Sequence, residues 1–158
     1  MKTQLPLQHR CSFSTARLDI ENVYPSLTIT NSESNVGELL LPLLSPRVTK
    51  ELPDDWQNIQ STEQAIAWWK NRLNESCVLQ IKLKNNARLI GLIFLYETNW
   101  KNAKVDLHLG YLLEEASWSR GYASEMLEGL IAWANEDTQI ATIIGGVTND
   151  NHSSIRVL

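Results

Sequence analysis

The sequence has few cysteines and no excess of basic residues. It contains two cysteines, Cys11 and Cys77, and three histidines in 158 residues, and their spacings suit neither a disulfide framework nor a metal site. Lys and Arg number 14 and Asp and Glu number 18, for a net charge of -4. Nucleic-acid-binding domains usually carry a basic patch that neutralises phosphates. We therefore expect ordinary reduced thiols, no bound metal and no nucleic-acid partner.

Long apolar segments are also missing. The longest apolar run, residues 89–96, is far shorter than the roughly 20 residues that a membrane-spanning helix needs. Residues 1–10 contain no apolar stretch of the kind found in signal peptides. The sequence therefore predicts a cytoplasmic protein with no membrane partner. Hydrophobic residues make up 43% of the chain and charged residues 20%, which suits one folded domain over residues 1–158.

Hydrophobic periodicity predicts alternating strands and helices. The strands are expected at residues 17–23, 78–83, 89–96, 105–113 and 140–147, with turns at 85–86 and 99–103. The helices are expected at residues 36–44, 61–75 and 121–135, with the start of another at 151–158. Residues 45–56 are expected to form a loop with at most one helical turn. This order predicts an α/β (or α+β) domain in which an antiparallel meander precedes a β-α-β unit.

The strand over residues 105–113 alternates strongly enough to assign its two faces. One face is predicted to carry Val105, Leu107, Leu109, Tyr111 and Leu113, and the other Asp106, His108, Gly110 and Leu112. The segment Trp118-Ser-Arg-Gly-Tyr-Ala123 then leads into a helix. A glycine at a helix start lets an anion approach backbone N–H groups that have no partner within the helix. Either this segment binds a phosphate, or Gly121 merely begins a helix.

Residues 106–127 resemble the acetyl-CoA motif of the GNAT superfamily of N-acetyltransferases, and most closely the branch of ribosomal-protein alanine acetyltransferases. The superfamily pattern is Gln/Arg-x-x-Gly-x-Gly/Ala, which Gly121 and Ala123 match, while Trp118 stands at its first position. Residues 15–20, 45–53 and 151–158 are similar to further segments of the same branch. The resemblance therefore spans nearly the whole chain in matching order.

The resemblance implies a GNAT-like, mostly antiparallel mixed sheet flanked by helices and splayed between strands 105–113 and 140–147. Acetyl-CoA, as co-substrate, is expected in that gap. The backbone of Leu112 and Leu113 would then pair with the pantetheine arm, Asn151 would contact the same arm, and Ser154 would lie near the thioester sulfur. The resemblance implies that the pyrophosphate is held at Ser119, Arg120, Gly121, Tyr122 and Ala123. The Arg120 side chain either adds charge to a phosphate or is simply solvated.

Acetyl transfer to an amine needs a base that removes a proton from the amine and an acid that protonates the leaving thiolate. His108 stands where the related branch often has Glu, and a histidine pKa of about 6.5 suits a base near neutral pH. Asp106 is expected on the same strand face, about 6–7 Å away. The alternatives are a His108 that only lines the sheet, and a water relay through Asp106 or Glu97. The backbone N–H near Leu113 is expected to polarise the acetyl carbonyl.

Ser154 lies nearest to the position where the superfamily often has a tyrosine acid, so it either protonates the thiolate or only forms a hydrogen bond there. The predicted helices place Trp68, Trp69 and Trp133 mostly in the core. Trp56 precedes a helix within a polar segment and is expected to line the acceptor pocket.

Members of the family continue past the position of Leu158 with the rest of a helix and two more strands. We therefore expect a domain that is incomplete at its C-terminus, with an exposed strand edge that favours homo-oligomers. The expected function is transfer of an acetyl group from acetyl-CoA to a primary amine, on a protein N-terminus or a small molecule. The alternatives are a non-catalytic CoA-binding or interaction domain on the same fold, and an unrelated α/β domain in which Gly121 is only structural.

Overall fold

The structure is a computed structural model that describes residues 6–23 and 33–145. The strands are β1 (Phe13–Ser14), β2 (Leu18–Asn22), β3 (Cys77–Leu83), β4 (Leu89–Lys101), β5 (Lys104–Leu113) and β6 (Ile140–Gly145). The α-helices are α1 (Leu7–Arg10), α2 (Glu33–Leu40), α3 (Pro46–Thr49), α4 (Thr62–Glu75) and α5 (Tyr122–Glu136). Short 3-10 turns lie at Leu41–Leu44, Asp54–Trp56 and Glu115–Ser117.

The six strands form one sheet in sequence order. Strands β1 to β5 are antiparallel neighbours, whereas β5 and β6 are parallel and are connected through α5. This arrangement confirms the predicted meander followed by a β-α-β unit, and with it the mixed, mostly antiparallel α/β fold class. Pairing between β5 and β6 runs from Val105 opposite Ile140 to Leu109 opposite Gly145. Because β5 continues to Leu113, the described part of β6 pairs only with the first half of β5.

The sheet separates two hydrophobic cores. The first core packs α5 against one face through Leu18, Ile20, Leu107, Leu109, Met126 and Leu130. The second core packs α2 and α4 against the other face through Val36, Leu40, Trp68, Trp69, Phe94 and Leu112. The predicted faces of β5 are confirmed, since its apolar odd-numbered residues enter the first core and Leu112 the second. Trp68 and Trp69 are buried and Trp133 is partly buried, as expected.

The two long helices begin differently. At α4 the Ser61 hydroxyl accepts a hydrogen bond from the Gln64 N–H at 3.2 Å, so the predicted cap is confirmed. At α5 the N-cap residue is Gly121, and no side chain caps the helix. The N-terminal N–H groups of α5 therefore lack the side-chain acceptor that α4 has.

The hairpin of β4 and β5 is longer than predicted. Strand β4 continues to Lys101, so the turn predicted over residues 99–103 is present but is confined to Asn102 and Ala103. Both turn residues have positive φ, 52° and 62°, as a two-residue type I′ turn requires. Asn99 has φ 54° where the register shifts between Thr98 and Lys101. This bulge interrupts the period-2 pattern, so the polar end of β4 looks like a loop in the sequence.

The predicted helix over residues 36–44 is α2 followed by a 3-10 turn, because Pro42 lacks the N–H that a continuing α-helix needs. The segment 45–56 contains two helical turns, α3 and Asp54–Trp56, where at most one was predicted. The short elements α1 and β1 were not predicted at all. No helix among the described residues is both long and apolar enough to cross a membrane.

The strand predicted over residues 140–147 is present as β6, but the expectation that it is buried is wrong. None of its six residues is buried, because β6 is the last strand of the described sheet and has a neighbour on one side only. Residues 146–147 and the predicted helix start at 151–158 lie outside the described residues. The expected homo-oligomer stays a prediction.

Candidate active site

The connection from β5 to α5, residues 114–121, is fixed by its own side chains. We call it the β5–α5 loop. The buried Ser117 hydroxyl donates to Oε1 of Glu114 at 2.9 Å. The indole N–H of Trp118 donates to the Leu113 carbonyl oxygen, also at 2.9 Å. These two contacts hold the loop against the end of β5, although the Trp118 side chain itself is partly exposed.

The backbone conformation of this loop suits the binding of an anion. Ser119 and Gly121 have positive φ values, 59° and 78°, with Arg120 between them. Left-handed residues alternating with right-handed ones direct consecutive N–H groups into one concave surface. Within the described residues, no acceptor contacts the backbone N–H groups from Ser119 to Ser124, and the first such bond runs from Glu125 N–H to Gly121 O at 3.1 Å. Together with the positive end of the helix dipole, these groups suit a phosphate.

The outer side of the loop is held by Arg17, which lies just before β2. Its Nε donates to Oε1 of Glu125 at 2.8 Å, and its backbone N–H donates to Oε2 at 3.0 Å. Its Nη1 donates to the Arg120 carbonyl oxygen at 2.9 Å, and its guanidinium lies 4.3 Å from the centre of the Tyr122 ring. The Thr15 hydroxyl donates to Oε2 of Glu125 at 2.5 Å. One arginine therefore joins the first strands to the first turn of α5.

The charge of Glu125 is neutralised by these contacts. Burial raises the pKa of the Glu125 carboxyl, but the hydrogen bonds from Thr15 and Arg17 outweigh burial and hold that pKa below its usual value. The hydrogen bond to Glu125 in turn raises the pKa of Arg17. Glu125 is the acidic residue of the first turn of α5, and at neutral pH it is ionised and paired.

The direction of each peptide group at the end of β5 follows from one hydrogen bond. The Glu114 N–H donates to the Ile90 carbonyl oxygen at 2.8 Å. In an antiparallel pair, hydrogen-bonded and non-bonded pairs alternate, so Leu112 also exchanges its bonds with Leu92 in β4. The N–H and C=O of Leu113 point the other way, towards the β6 side. Of the two residues expected to pair with pantetheine, Leu113 therefore faces the predicted gap, whereas the peptide groups of Leu112 face β4.

The two predicted proton-transfer residues lie on the face of β5 opposite α5. Asp106 and His108 are both half-buried, and they follow the alternation that places Val105 and Leu107 in the first core. The Asn99 side-chain amide donates to Oδ2 of Asp106 at 3.1 Å. Since both side chains project from the same face of one strand, the structure brings them together as predicted.

Two residues of β4 stand beside this pair and were not predicted. Tyr96 is directly opposite His108, and Thr98 is directly opposite Asp106. The Thr98 hydroxyl is buried without a hydrogen-bond partner among the described residues. Burial raises the pKa of the Tyr96 hydroxyl, which also contacts Ser76. The register of the β4–β5 hairpin is what identifies Tyr96 and Thr98 as neighbours of this pair. The bulge at Asn99 makes that register difficult to predict from the sequence.

The Trp56 side chain lies in the second core. It is only 6% exposed, and its ring packs edge-on against Trp68 and Phe94 at 5.4 and 4.8 Å between centres. The guanidinium of the buried Arg72 lies 4.9 Å from the Trp56 ring and is paired with Asp55 and Glu75. The expectation that Trp56 contacts an acceptor is therefore wrong, because residues distant in sequence enclose its ring.

The side chain of Arg120 turns back on its own loop. Its Nε donates to the Ala116 carbonyl oxygen at 3.2 Å, and the side chain is exposed. Its guanidinium is thus beside the loop amides without any protein carboxylate bonded to it among the described residues. Asn151 and Ser154, the other predicted site residues, lie outside the described residues.

A separate cleft of about 330 Å³ opens between α5 and β6. Its lining is mostly apolar and includes Leu127, Ile131, Ala134, Ile140 and Ile143. Ala134 lies 13 residues along α5 from Gly121, about 20 Å at the rise of an α-helix. The cleft lies farther along α5, and its lining includes no residue of the β5–α5 loop. Within the part of the chain that the structure describes, no group of three His, Cys, Asp or Glu side chains could hold a metal ion.

The sequence matches the profile of the acetyltransferase (GNAT) domain over residues 29–158. The chain belongs to the GNAT acetyltransferase family. The resemblance seen in the sequence is thus confirmed, and the chain is an acyltransferase whose co-substrate is acetyl-CoA. No curated protein sequence matches this GNAT chain.

Solved GNAT structures share the fold of this chain at low sequence identity. The GNAT-family acetyltransferase of Bacillus anthracis is 18% identical, with a TM-score of 0.70 over 93% of this chain and 80% of that one. The Salmonella typhimurium enzyme that modifies the N-terminal serine of ribosomal protein L7/L12 is 18% identical, with a TM-score of 0.67 over 90% and 78% of the two chains. Mycobacterium smegmatis RimJ, solved with CoA-disulfide, is 13% identical, with a TM-score of 0.67 over 93% and 72%. At these identities the similarity establishes the fold alone.

Proposed function

We propose that this GNAT chain transfers the acetyl group of acetyl-CoA to a primary amine by direct attack of the amine, and that residues 1–158 act as one acetyltransferase domain. The observation that carries the proposal is the run of backbone N–H groups from Ser119 to Ser124, for which no described residue is an acceptor. They lie in the end of the β5–α5 loop and the start of α5, and this loop follows the strand that carries His108 and Asp106. An anion-binding loop and a pair of titratable side chains are thus joined by one strand.

The β5–α5 loop fits the pyrophosphate of acetyl-CoA. Pyrophosphate oxygens accept several hydrogen bonds at once, and the loop offers consecutive donors and no competing side-chain cap. The residues that would hold the pyrophosphate are Ser119, Arg120, Gly121, Tyr122 and Ala123. When bound, acetyl-CoA supplies an acetyl group activated as a thioester.

The end of β5 would orient the acyl arm. The N–H of Leu113 faces the β6 side, and its carbonyl oxygen is fixed by the Trp118 indole at 2.9 Å. This N–H is the donor that we assign to the acetyl carbonyl oxygen, where charge develops as the amine attacks. The roles of Asn151 at the pantetheine arm and Ser154 near the sulfur rest on the family resemblance.

Proton removal from the amine is assigned to His108. A neutral imidazole nitrogen takes a proton from the substrate ammonium and so frees the amine lone pair that attacks the thioester, and Asp106 on the same face stabilises the resulting imidazolium. Asn99 holds the Asp106 carboxylate by a hydrogen bond of 3.1 Å. Tyr96 packs against the second core beside His108 and forms a wall of the site. A water relay through Asp106 is the competing route, whereas a relay through Glu97 does not fit, because Glu97 is opposite Leu107 on the α5 face of the sheet.

The acceptor is assigned to the class of primary amines. Asp106 lies beside His108 on the same strand face and favours an approaching ammonium group, whereas Glu97, directly opposite Leu107, projects from the α5 face of the sheet. The Salmonella typhimurium neighbour modifies an N-terminal serine, which is an amine of this class. A protein N-terminus and a small-molecule amine both satisfy this chemistry, and an amine panel separates them.

The first test is a thermal melt of the 158-residue chain with acetyl-CoA, CoA or ATP. A ligand at about 100 times its Kd stabilises the native state by roughly 2.7 kcal/mol, which a melt detects. We expect acetyl-CoA and CoA to raise the Tm and ATP to leave it unchanged. A Gly121→Val variant, in which a β-branched side chain opposes the positive φ, is expected to lose the CoA-dependent shift.

Turnover with a panel of peptide N-termini and small amines is the second test. Acetylation of at least one amine, at a rate that falls in the His108→Ala variant, is the expected result. Stabilisation by CoA without acetylation of any amine would instead indicate a non-catalytic CoA-binding domain. A folded wild-type chain that gives no shift with CoA or acetyl-CoA would contradict the proposed cofactor site.

A further inference from the structure

Arg17 contacts the β5–α5 loop at the peptide group that joins Arg120 to Gly121. Its Nη1 donates to the Arg120 carbonyl oxygen at 2.9 Å. In a planar trans peptide the C=O and the following N–H point in opposite directions. Fixing the Arg120 carbonyl towards Arg17 therefore directs the Gly121 N–H away from Arg17, to the concave side of the loop. Two positive φ values, at Ser119 and Gly121, make this loop costly to hold without such a contact.

Arg17 also removes the negative charge that would oppose a phosphate at this point. Glu125 lies in the first turn of α5, close to the loop amides. Its two carboxylate oxygens bond to the Arg17 side chain at 2.8 Å and to the Arg17 backbone at 3.0 Å. A carboxylate neutralised in this way does not compete for the helix N-terminus or repel an incoming anion.

The position of Arg17 is itself fixed from two sides. The Tyr122 ring lies 4.3 Å from its guanidinium, and the Thr15 hydroxyl bonds both to Glu125 and, as acceptor at 3.1 Å, to the Leu18 N–H at the start of β2. A β-carbon at Gly121 would lie 3.4 Å from Nη2 of Arg17, so the guanidinium fills the space behind the glycine. A lysine at this position has one ammonium group and cannot reach Glu125 and the Arg120 carbonyl in the same fork geometry.

We propose that Arg17 is a positioning residue that orients the Arg120–Gly121 peptide and neutralises Glu125, so that the β5–α5 loop presents its amides to the pyrophosphate of acetyl-CoA. This assignment rests on the cofactor site described under the proposed function. The proposal adds Arg17, which is more than 100 positions from the loop in sequence, to the residues that shape the site. Arg17 is assigned no contact with the acetyl group. Its effect should therefore appear in the binding of ligands that carry a pyrophosphate and not in the binding of ligands that lack one.

The test is a ¹⁵N NMR titration of the full chain with two probes, CoA and pantetheine, of which only CoA contains the pyrophosphate. The variants are Arg17→Ala and Arg17→Lys. The control is Lys82→Ala, which removes a 2.9 Å ion pair with Glu21 between β2 and β3 and leaves the loop untouched. We expect the Kd for CoA to rise about tenfold in Arg17→Ala and about threefold in Arg17→Lys, since charge-assisted hydrogen bonds are lost. The Kd for pantetheine should stay within about twofold in both variants and in the control.

The ratio of the two Kd values distinguishes positioning from a general structural role. An equal loss of CoA and pantetheine affinity would overturn the assignment, and so would a CoA affinity unchanged in both Arg17 variants. If Arg17→Ala does not fold, the milder Arg17→Lys variant supplies the same ratio. A wild-type chain whose Ser119 to Ala123 amides do not shift with CoA would refute the cofactor site itself, and the role of Arg17 with it.

Discussion

The Nε atom of Arg17 lies 2.8 Å from Oε1 of Glu125, although the two residues are 108 positions apart in the chain. Arg17 precedes β2 and Glu125 lies in the first turn of α5, so this ion pair joins the N-terminal strands to the helix that follows the β5–α5 loop. The same arginine holds the Arg120 carbonyl oxygen. The contacts of Arg17 therefore contribute both to the stability of the fold and to the geometry of the proposed cofactor site.

The Glu125 contact makes stability depend on pH. Because the native pKa of Glu125 lies below its unfolded value of about 4.5, ionised Glu125 contributes stability above that value, and the contribution is lost as pH falls through the native pKa. In Glu125→Gln the free energy of unfolding should be lower than in wild type at neutral pH, and the difference should shrink in acid. Urea unfolding at a series of pH values measures this difference in the free energy of unfolding. Glu128→Gln, an exposed position on α5, is the control, and a Glu125 difference that does not vary with pH would count against the pairing.

His108 is expected to govern the chemical step and not cofactor binding. With an acceptor from the amine panel, His108→Ala should lower kcat by about 10²- to 10³-fold, as the loss of a general base does. The Kd for CoA should stay within about twofold, because the loop amides bind the pyrophosphate independently of His108. Steady-state kinetics and a CoA titration test both statements. A variant that keeps nearly full kcat would favour the water relay through Asp106.

Gly129 in the middle of α5 is required for the close approach of that helix to β1. A β-carbon there would lie 2.7 Å from both Phe13 Cε2 and Thr15 Cγ2. Gly129→Ala should therefore destabilise the fold by about 1–3 kcal/mol, even though alanine favours helices, because overpacking outweighs propensity. Urea unfolding compares it with Glu128→Ala at the exposed neighbouring position. A Gly129→Ala protein more stable than wild type would show that α5 and β1 are not packed this closely.

Ala103 occupies the second position of the β4–β5 turn with φ 62°, a conformation that costs an alanine more than a glycine. Ala103→Gly completes the Asn-Gly pair preferred in type I′ turns and should stabilise the chain by about 0.5–1 kcal/mol. Thermal or urea unfolding measures the change. The matched control is Ala132→Gly on the exposed side of α5, which should destabilise by about 1 kcal/mol. Destabilisation by both substitutions would mean that Ala103 does not adopt the left-handed conformation.

Local periodicity predicted most of the strands and helices correctly, because each depends on residues close together in sequence. The faces of β5 followed directly from alternation, and the Ser61 cap of α4 from a serine before a helical repeat. The prediction failed at the end of β4, where the bulge at Asn99 breaks the period-2 pattern. It also failed at Trp56, which lies in a polar segment of the sequence although Trp68 and Phe94 enclose its ring.

Local sequence patterns are sufficient to predict the order of elements, the strand face that carries Asp106 and His108, and the glycine before α5, because periodicity and backbone preference are local properties. Three further features depend on long-range packing: Tyr96 lies opposite His108, Leu113 and not Leu112 turns its peptide groups towards the β6 side, and Arg17 holds the loop before α5. Strand register and ion pairs between distant segments depend on how whole elements pack. No pattern within a single segment of this chain contains that information.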